Sequence, residues 1–332
     1  MSDKLNNKDL CQICKVHGPE FLTQFSPFID VAWCFDIYQC KNCGVRYALR
    51  DRKINYHELL HSKQGTSYDE HYQLAENVSR LLKSNDIELC ERFIKKSAYK
   101  YSLIIDFLKD RNSYDEDILE IGCSSGFLTA FLNALGYRVE GIDSSESAIL
   151  YAEKTFGSYY NMQPKKKAYN VIFHLGLIGC VDNPPEFISK YLALLKPGGC
   201  MVFNAPNVES VNKLGELWVD TPPPDLIYLF SEDSIKRLCG AGYHVDLRKM
   251  YSKGEIIRKN IYRIFKIKYY HYPVNFFKNN EMHKHNKTIS VFLFLKKVFW
   301  LSLNVLYYLK IFKYYSDDYG LIVTIRNTQP NR

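Results

Sequence analysis

The chain has 332 residues, 46% of them hydrophobic and 24% charged, with a formal net charge of +8. That length suits about two domains, and the apolar fraction is enough for a core, which excludes disordered and fibrous classes. The opening MSDKLNNKDL lacks a charged segment followed by an apolar run and a small-residue cleavage site, so a cytoplasmic location is expected.

Ten cysteines are present, and four of them form two CxxC pairs, Cys11-Gln-Ile-Cys14 and Cys40-Lys-Asn-Cys43, separated by 25 residues. Each pair can turn tightly enough to aim two thiolates at one ion. Four sulfurs then complete a closed tetrahedral zinc site with no open coordination position, so the metal is expected to be structural. Such an ion contributes on the order of 10 kcal/mol to a subdomain that lacks a core of its own. Cys34 and His17 lie near enough in sequence to be rival ligands. The region 1–60 is read as this zinc-binding unit. Residues 61–113 read as a helical linker, with Leu81, Leu82, Leu89, Phe93, Ile94, Ile104, Ile105, Phe107 and Leu108 recurring at roughly helical spacing.

From residue 117 strands and helices alternate, which predicts an α/β architecture with a doubly wound sheet. DILEI, GFLTAFLNALG, YRVEGID and SESAILYAEKTFG come first. They are followed by YNVIFHLGL, PPEFISKYLALL, the turn KPGG, CMVFNAP, SEDSIKRLCGAG and YHVDL, with YGLIVTIR closing the chain. The first turn, Gly122-Cys123-Ser124-Ser125-Gly126, lacks the middle and last glycines of a dinucleotide fingerprint and the lysine of a P-loop. What it does have is Glu120 closing the first strand, two glycines that let the main chain approach a ligand, and Asp143 closing the next strand 21 residues after Gly122. This set suits a nucleoside bearing a charged amino-acid arm. Asp143 can accept from both ribose hydroxyls, Glu120 can face the cationic end, and the helix start offers amide donors to a carboxylate.

The stretch "LEIGCSSG" resembles the first motif of the class I S-adenosylmethionine-dependent methyltransferases, with Ser124 in place of the middle glycine. "VEGID", "YNVIFHL", "LLKPGGCMVFNAPN" and "DDYGLIVTIR" follow in family order. The resemblance implies a Rossmann-like seven-stranded methyltransferase sheet over 114–332, with the last strand inserted antiparallel. It also implies a cofactor site of Glu120, Gly122, Cys123, Ser124, Gly126, Asp143, Ser144 and Met162, the last against adenine. Many relatives carry Leu-Glu-His-Val after the fourth strand, and Gly179 and Cys180 occupy those Glu and His positions here, so no general base is carried over from there. A zinc ribbon ahead of such a domain resembles a group active in bacterial surface-polysaccharide and modified-sugar biosynthesis, matched by "YQCKNCGVRYAL" and "SYDEHYQ".

Acceptor-side residues are expected beyond the carboxyl ends of the strands. His174 and Asp225 are the candidates for catalysis, accompanied by Asn204, Asn207, Asp220 and Tyr228. "DNPPE" at 182–186 looks like a nucleobase-methylating motif but ends in Glu186, and Pro184 and Pro185 are read as a helix start.

Between Tyr251 and Tyr315 stand 13 Lys or Arg against only Glu255 and Glu281, so the rest of the chain is net acidic. The insertion 251–315 is read as helical, basic and aromatic. Its longest charge-free run is too short to span a bilayer. Docking on an anionic membrane face is the favoured reading, ahead of a lid over the acceptor site and of nucleic-acid binding. The expected activity is methyl transfer from S-adenosylmethionine to a sugar or lipid-linked glycan intermediate, at a hydroxyl. The alternatives are a zinc-containing RNA methyltransferase and a non-catalytic binding protein on the same fold.

Overall fold

The computed structural model describes residues 10–16, 18–25, 34–49, 67–166, 168–214, 217–219, 221, 223–240, 242–250 and 320–328. The insertion 251–315, Asp220 and His17 lie outside the described residues.

Around the cysteine pairs run three short strands, β1 (Glu20–Phe25), β2 (Phe35–Gln39) and β3 (Arg46–Ala48), paired antiparallel in that order. Three consecutive helices follow, α1 (Ser67–Lys83), α2 (Ile87–Ser97) and α3 (Tyr99–Arg111). Asp86 caps α2 by accepting from the Leu89 amide. Asn112 ends α3 in the left-handed conformation, at φ 57°.

The larger sheet begins with β4 (Asp117–Ile121). In chain order come α4 (Phe127–Ala134), β5 (Arg138–Ile142), α5 (Glu146–Phe156), β6 (Tyr160–Asn161), β7 (Tyr169–His174), α6 (Pro184–Leu192) and β8 (Leu195–Pro206). After them come α7 (Val208–Leu214), β9 (Tyr228–Leu229), α8 (Glu232–Cys239), β10 (Tyr243–Met250) and β11 (Gly320–Asn327). Seven strands pair in the order β10-β11-β8-β7-β4-β5-β6, with β11 antiparallel to both neighbours and the other pairings parallel. This is the doubly wound sheet with an inserted last strand that the sequence pattern predicts. β4 and β7 are almost wholly buried, as parallel strands covered on both faces must be. The KPGG segment, expected as a plain turn, lies inside β8, where the pairing with β7 is irregular between Tyr169 and Val171.

Two apolar clusters cover the sheet. One joins α1, α2 and α3 to α4 through Ile94, Ile104, Ile105, Leu108, Phe127 and Phe131, so the stretch read as a linker is packed into the core. The other contains Cys11, Ile37, Tyr47, Trp218, Phe230 and Met201, and unites the cysteine-bearing unit with the sheet. β9, which lies in the segment following β8, pairs with β3, so the small sheet has four strands in the order β1-β2-β3-β9. Among the described residues no helix is long and apolar enough to cross a membrane.

Candidate functional site

The turn after β4 carries three residues with positive φ, Gly122 at 73°, Ser124 at 48° and Gly126 at 78°. Gly126 is also required by space, since a Cβ there would lie 2.6 Å from both the Ala152 Cβ and the Tyr160 ring. The Tyr160 hydroxyl donates to the Gly126 carbonyl at 2.7 Å, which seats the turn on β6.

Asp143 stands just past β5 with one carboxylate oxygen accepting the Ser124 amide and the other the Ser145 amide, each at 2.9 Å. A carboxylate offers about four acceptor positions, so both oxygens keep acceptor capacity beyond these two bonds. The Gly122 and Cys123 amides both donate to the Ile142 carbonyl, and the Gly126 amide to that of Cys123. Four amides of the turn are therefore engaged within the protein, which leaves less for a ligand carboxylate than the sequence suggested.

Glu120 is 6% exposed, and Thr129 Oγ1 donates to its Oε2 at 2.5 Å. Burial pushes its carboxyl up to about 8, against the pull of those Thr129 hydrogen bonds. Ser124 presents a buried hydroxyl with no hydrogen-bond partner, an unsatisfied group aimed from the strained turn. Cys123 packs inward at 5% exposure, so its contribution to a ligand is through the main chain. Ser144 is exposed next to Ser145, which caps α5, and Met162 is 42% exposed directly after β6, an apolar side chain open beside the turn.

Three residues at this site escaped the sequence reading. Lys100, in the first turn of α3, puts its Nζ 3.5 Å from where a Gly176 Cβ would lie. Burial lowers its pKa, while Cys180, Asp225 and Glu120 act to raise it. Its Nζ thus stands beside the loop that follows β7. From α1, the His71 carbonyl accepts from Ser125 Oγ at 3.1 Å, and Tyr72 meets Tyr151 edge-on at 4.6 Å. Asp143 is among the charges that raise the Tyr72 hydroxyl, after burial and Tyr151. The only signal in the sequence was the aromatic run SYDEHYQ.

His174 requires a correction. It is fully buried, stacked at 4.6 Å on Phe203 with Phe187 edge-on at 5.3 Å, and neither ring nitrogen has a hydrogen-bond partner. Burial lowers its pKa to about 3. A general base must reach the proton it removes, and this imidazole is sealed in the core because its strand is covered on both faces. Asp225 is half-buried and within the electrostatic reach of Lys100. Asn204 accepts the Gly176 amide at 2.7 Å, Asn207 accepts the Glu209 amide at 2.9 Å, and the Tyr228 hydroxyl donates to the Asp182 carbonyl at 3.2 Å. All three are engaged within the protein. Asn183 caps α6 with Pro184 at its start, as read from DNPPE.

The four sulfurs of Cys11, Cys14, Cys40 and Cys43 lie within 4.8 Å of one another. Each CxxC forms the same knuckle. The Lys15 amide donates to the Cys11 carbonyl with Lys15 at φ 57°, and the Gly44 amide to the Cys40 carbonyl with Gly44 at φ 74°. The Ile13 amide and the Asn42 side-chain amide point at the Cys11 and Cys14 sulfurs, both at 3.4 Å, a donor set suited to thiolates. The cluster is compatible with a zinc site. Cys34 is exposed and outside it.

Residues 92–245 match the family model of a methyltransferase domain. With the strand order above, this part of the chain has the Rossmann-like methyltransferase fold. Similar curated proteins include the mitochondrial ubiquinone biosynthesis O-methyltransferase of Dictyostelium discoideum, 27% identical over 27% of this chain and 35% of that one. The ubiquinone biosynthesis O-methyltransferase of a Bradyrhizobium strain is 32% identical over 27% of this chain and 40% of its own length. The chain thus spans less than half the length of these relatives. A solved S-adenosylmethionine-dependent methyltransferase from Clostridium acetobutylicum is similar over 52% of this chain and 92% of its own, at 15% identity and a TM-score of 0.38.

Proposed function

We propose that the chain is an S-adenosylmethionine-dependent methyltransferase that methylates a hydroxyl group. The observation that carries this reading is the Gly122–Gly126 turn bound to Asp143, with the orphaned Ser124 hydroxyl inside it and the buried Glu120 on the strand that leads into it. The cofactor supplies a methyl group already activated on a sulfonium. Asp143 accepts from the ribose hydroxyls, Glu120 faces the cationic end of the amino-acid arm, Lys100 meets its carboxylate, and Met162 lies against the adenine. With an activated leaving group, alignment of the acceptor supplies roughly 7 to 11 kcal/mol of the barrier reduction. Asp225 is the carboxylate that takes the acceptor's hydroxyl proton. The four cysteines hold a structural zinc ion, closed to substrate.

The acceptor is a hydroxyl of a sugar or lipid-linked glycan intermediate, a reading supported by the pairing of the cysteine ribbon with this domain. The insertion 251–315 brings the enzyme to an anionic membrane surface on the cytoplasmic side. The names of the ubiquinone-biosynthesis relatives support transfer to oxygen and favour a second acceptor, a hydroxyl of a ubiquinone precursor.

The test is transfer of labelled methyl from S-adenosylmethionine into glycan, quinone-lipid and RNA fractions of the native cell. Label in the glycan fraction is expected, and label in either of the others replaces the acceptor. Absence of both transfer and S-adenosylhomocysteine binding would overturn the enzyme reading in favour of a non-catalytic protein. Sedimentation with anionic liposomes at low salt tests the membrane contact.

A further inference from the structure

The segment 207–230 leaves the carboxyl end of β8, on the side of the sheet where an acceptor has to enter. Its regular structure is slight, a seven-residue α7 and a two-residue β9. Its main chain is held instead by other parts of the molecule. The Ile227 and Tyr228 amides donate to the Gly179 carbonyl at 2.7 and 3.0 Å, and the Phe230 amide to the Pro206 carbonyl at 2.8 Å. The Val208 amide donates to the Phe230 carbonyl at 2.9 Å, and further supports come from the cysteine ribbon, more than 150 residues away in sequence. β3 pairs with β9 through Arg46 with Leu229 and Tyr47 with Tyr228, and the Ala48 amide donates to the Ile227 carbonyl at 2.9 Å. The Ser231 hydroxyl donates to the Cys43 carbonyl at 2.5 Å. Arg46, 6% exposed, donates to the Leu217 carbonyl at 2.9 Å, to Asn212 Oδ1 at 2.5 Å and to Gln39 Oε1 at 2.7 Å.

The knuckle Cys40–Gly44 is itself the connection between β2 and β3, closed by the Cys40 amide on the Val45 carbonyl at 2.9 Å. The position of β3 is therefore set at the metal ligands, and β9 is paired to β3. The cofactor turn has no such dependence. It rests on β5, β6 and α1, through Ile142, Tyr160 and His71.

We infer that metal loading of the ribbon positions the 207–230 wall, with Arg46 as the positioning residue that ties the two together, while the cofactor turn stays formed without the metal. Naming that wall the acceptor side rests on the proposed function, whereas the coupling itself does not.

The experiment is amide hydrogen exchange on the full chain, zinc-loaded, after zinc removal by a chelator under reducing conditions, and after zinc return. On removal the Val208, Ile227, Tyr228 and Phe230 amides are expected to exchange about tenfold faster or more, as local opening in one cooperative unit requires. The Gly122, Cys123 and Asp143 amides and the affinity for S-adenosylhomocysteine are expected to change by less than about twofold, and zinc return restores the first set. Arg46→Met, with the cobalt-thiolate absorption of a cobalt-loaded ribbon unaltered, is expected to open the same four amides. Unchanged exchange at 207–230 on zinc removal, or equal acceleration throughout the sheet, overturns the coupling. Protection that persists in Arg46→Met overturns the role of Arg46. Failure to bind S-adenosylhomocysteine in any form would sink the proposed function and leave the exchange pattern to decide the coupling.

Discussion

The two faces of the seven-stranded sheet are covered by different physical means. On one, α1, α2 and α3 are consecutive in sequence and bury Ile94, Ile104, Ile105 and Leu108 against α4. Outside this core Glu91 pairs with Lys95 at 2.8 Å and with Lys109 at 2.6 Å, which ties α2 to α3. On the other face the cover is assembled from α6, α8 and the described residues of 10–49 and 207–230, joined by Arg46, Ser231 and a two-residue strand pairing. Helices of ordinary length bury enough apolar area to hold themselves in place. A ribbon of about forty residues does not, and its geometry depends on local closures, here the four-cysteine cluster and a polar seam.

That contrast can be broken most forcefully through Ile104. Ile104→Ala leaves a cavity in a fully buried site and is expected to cost about 3 kcal/mol in urea unfolding, with zinc present or removed. A cost that shrinks on zinc removal would show that the two covers are not independent. Next is Asp143→Ala, which removes a charged acceptor of ribose hydroxyls. S-adenosylhomocysteine affinity in calorimetry is expected to fall roughly 100-fold, about 2.7 kcal/mol, without altering exchange at 207–230.

Glu120 sharpens the comparison through pH. Its carboxyl is raised from 4.5 to about 8 by burial, so the folded protein keeps a proton that the unfolded chain has lost between those values. Stability of the free protein therefore falls as pH rises through that window. A cationic ligand favours the carboxylate, so its binding releases the proton, and affinity is expected to rise on the order of tenfold between about pH 6.5 and 8. Glu120→Gln should flatten both dependences, and a slope persisting in that variant would assign the proton elsewhere.

The smallest effect is expected at His174. Removing two unsatisfied buried nitrogens by His174→Leu should change stability by less than about 1 kcal/mol. The methyl-transfer pH profile should be unchanged. Its pKa is lowered from 6.5 to about 3 by burial, so the unfolded chain takes up a proton that the native state refuses. Stability is lost as pH falls through that window, and this part of the acid sensitivity should disappear in the variant. Loss of the acid-side limb of the rate profile in the variant would restore His174 as a base.

Much of the cofactor half was legible in the residues themselves. Glu120, Gly122, Gly126 and Asp143 are close in sequence, and strand-turn-helix units place them by local backbone geometry alone. The cysteine cluster was legible for the same reason, since CxxC spacing makes a knuckle wherever the chain goes. His174 was misread because strand periodicity gives the face of a side chain and not what covers that face. Phe187 and Phe203, which enclose it, arrive from α6 and β8.

What the amino-acid order determined alone was the alternation of strands and helices, the glycine turn and the cysteine knuckles, each a consequence of contacts within a few residues. Only the tertiary structure decided that the Lys100 Nζ stands beside Gly176, that the His71 carbonyl of α1 meets Ser125 in the turn, and that β3 and β9 share a sheet. Those three arrangements join segments far apart in the chain. Local spacing records only contacts within a few residues, and two of the three end on a main-chain group that any residue could supply, so no pattern in the sequence marks them.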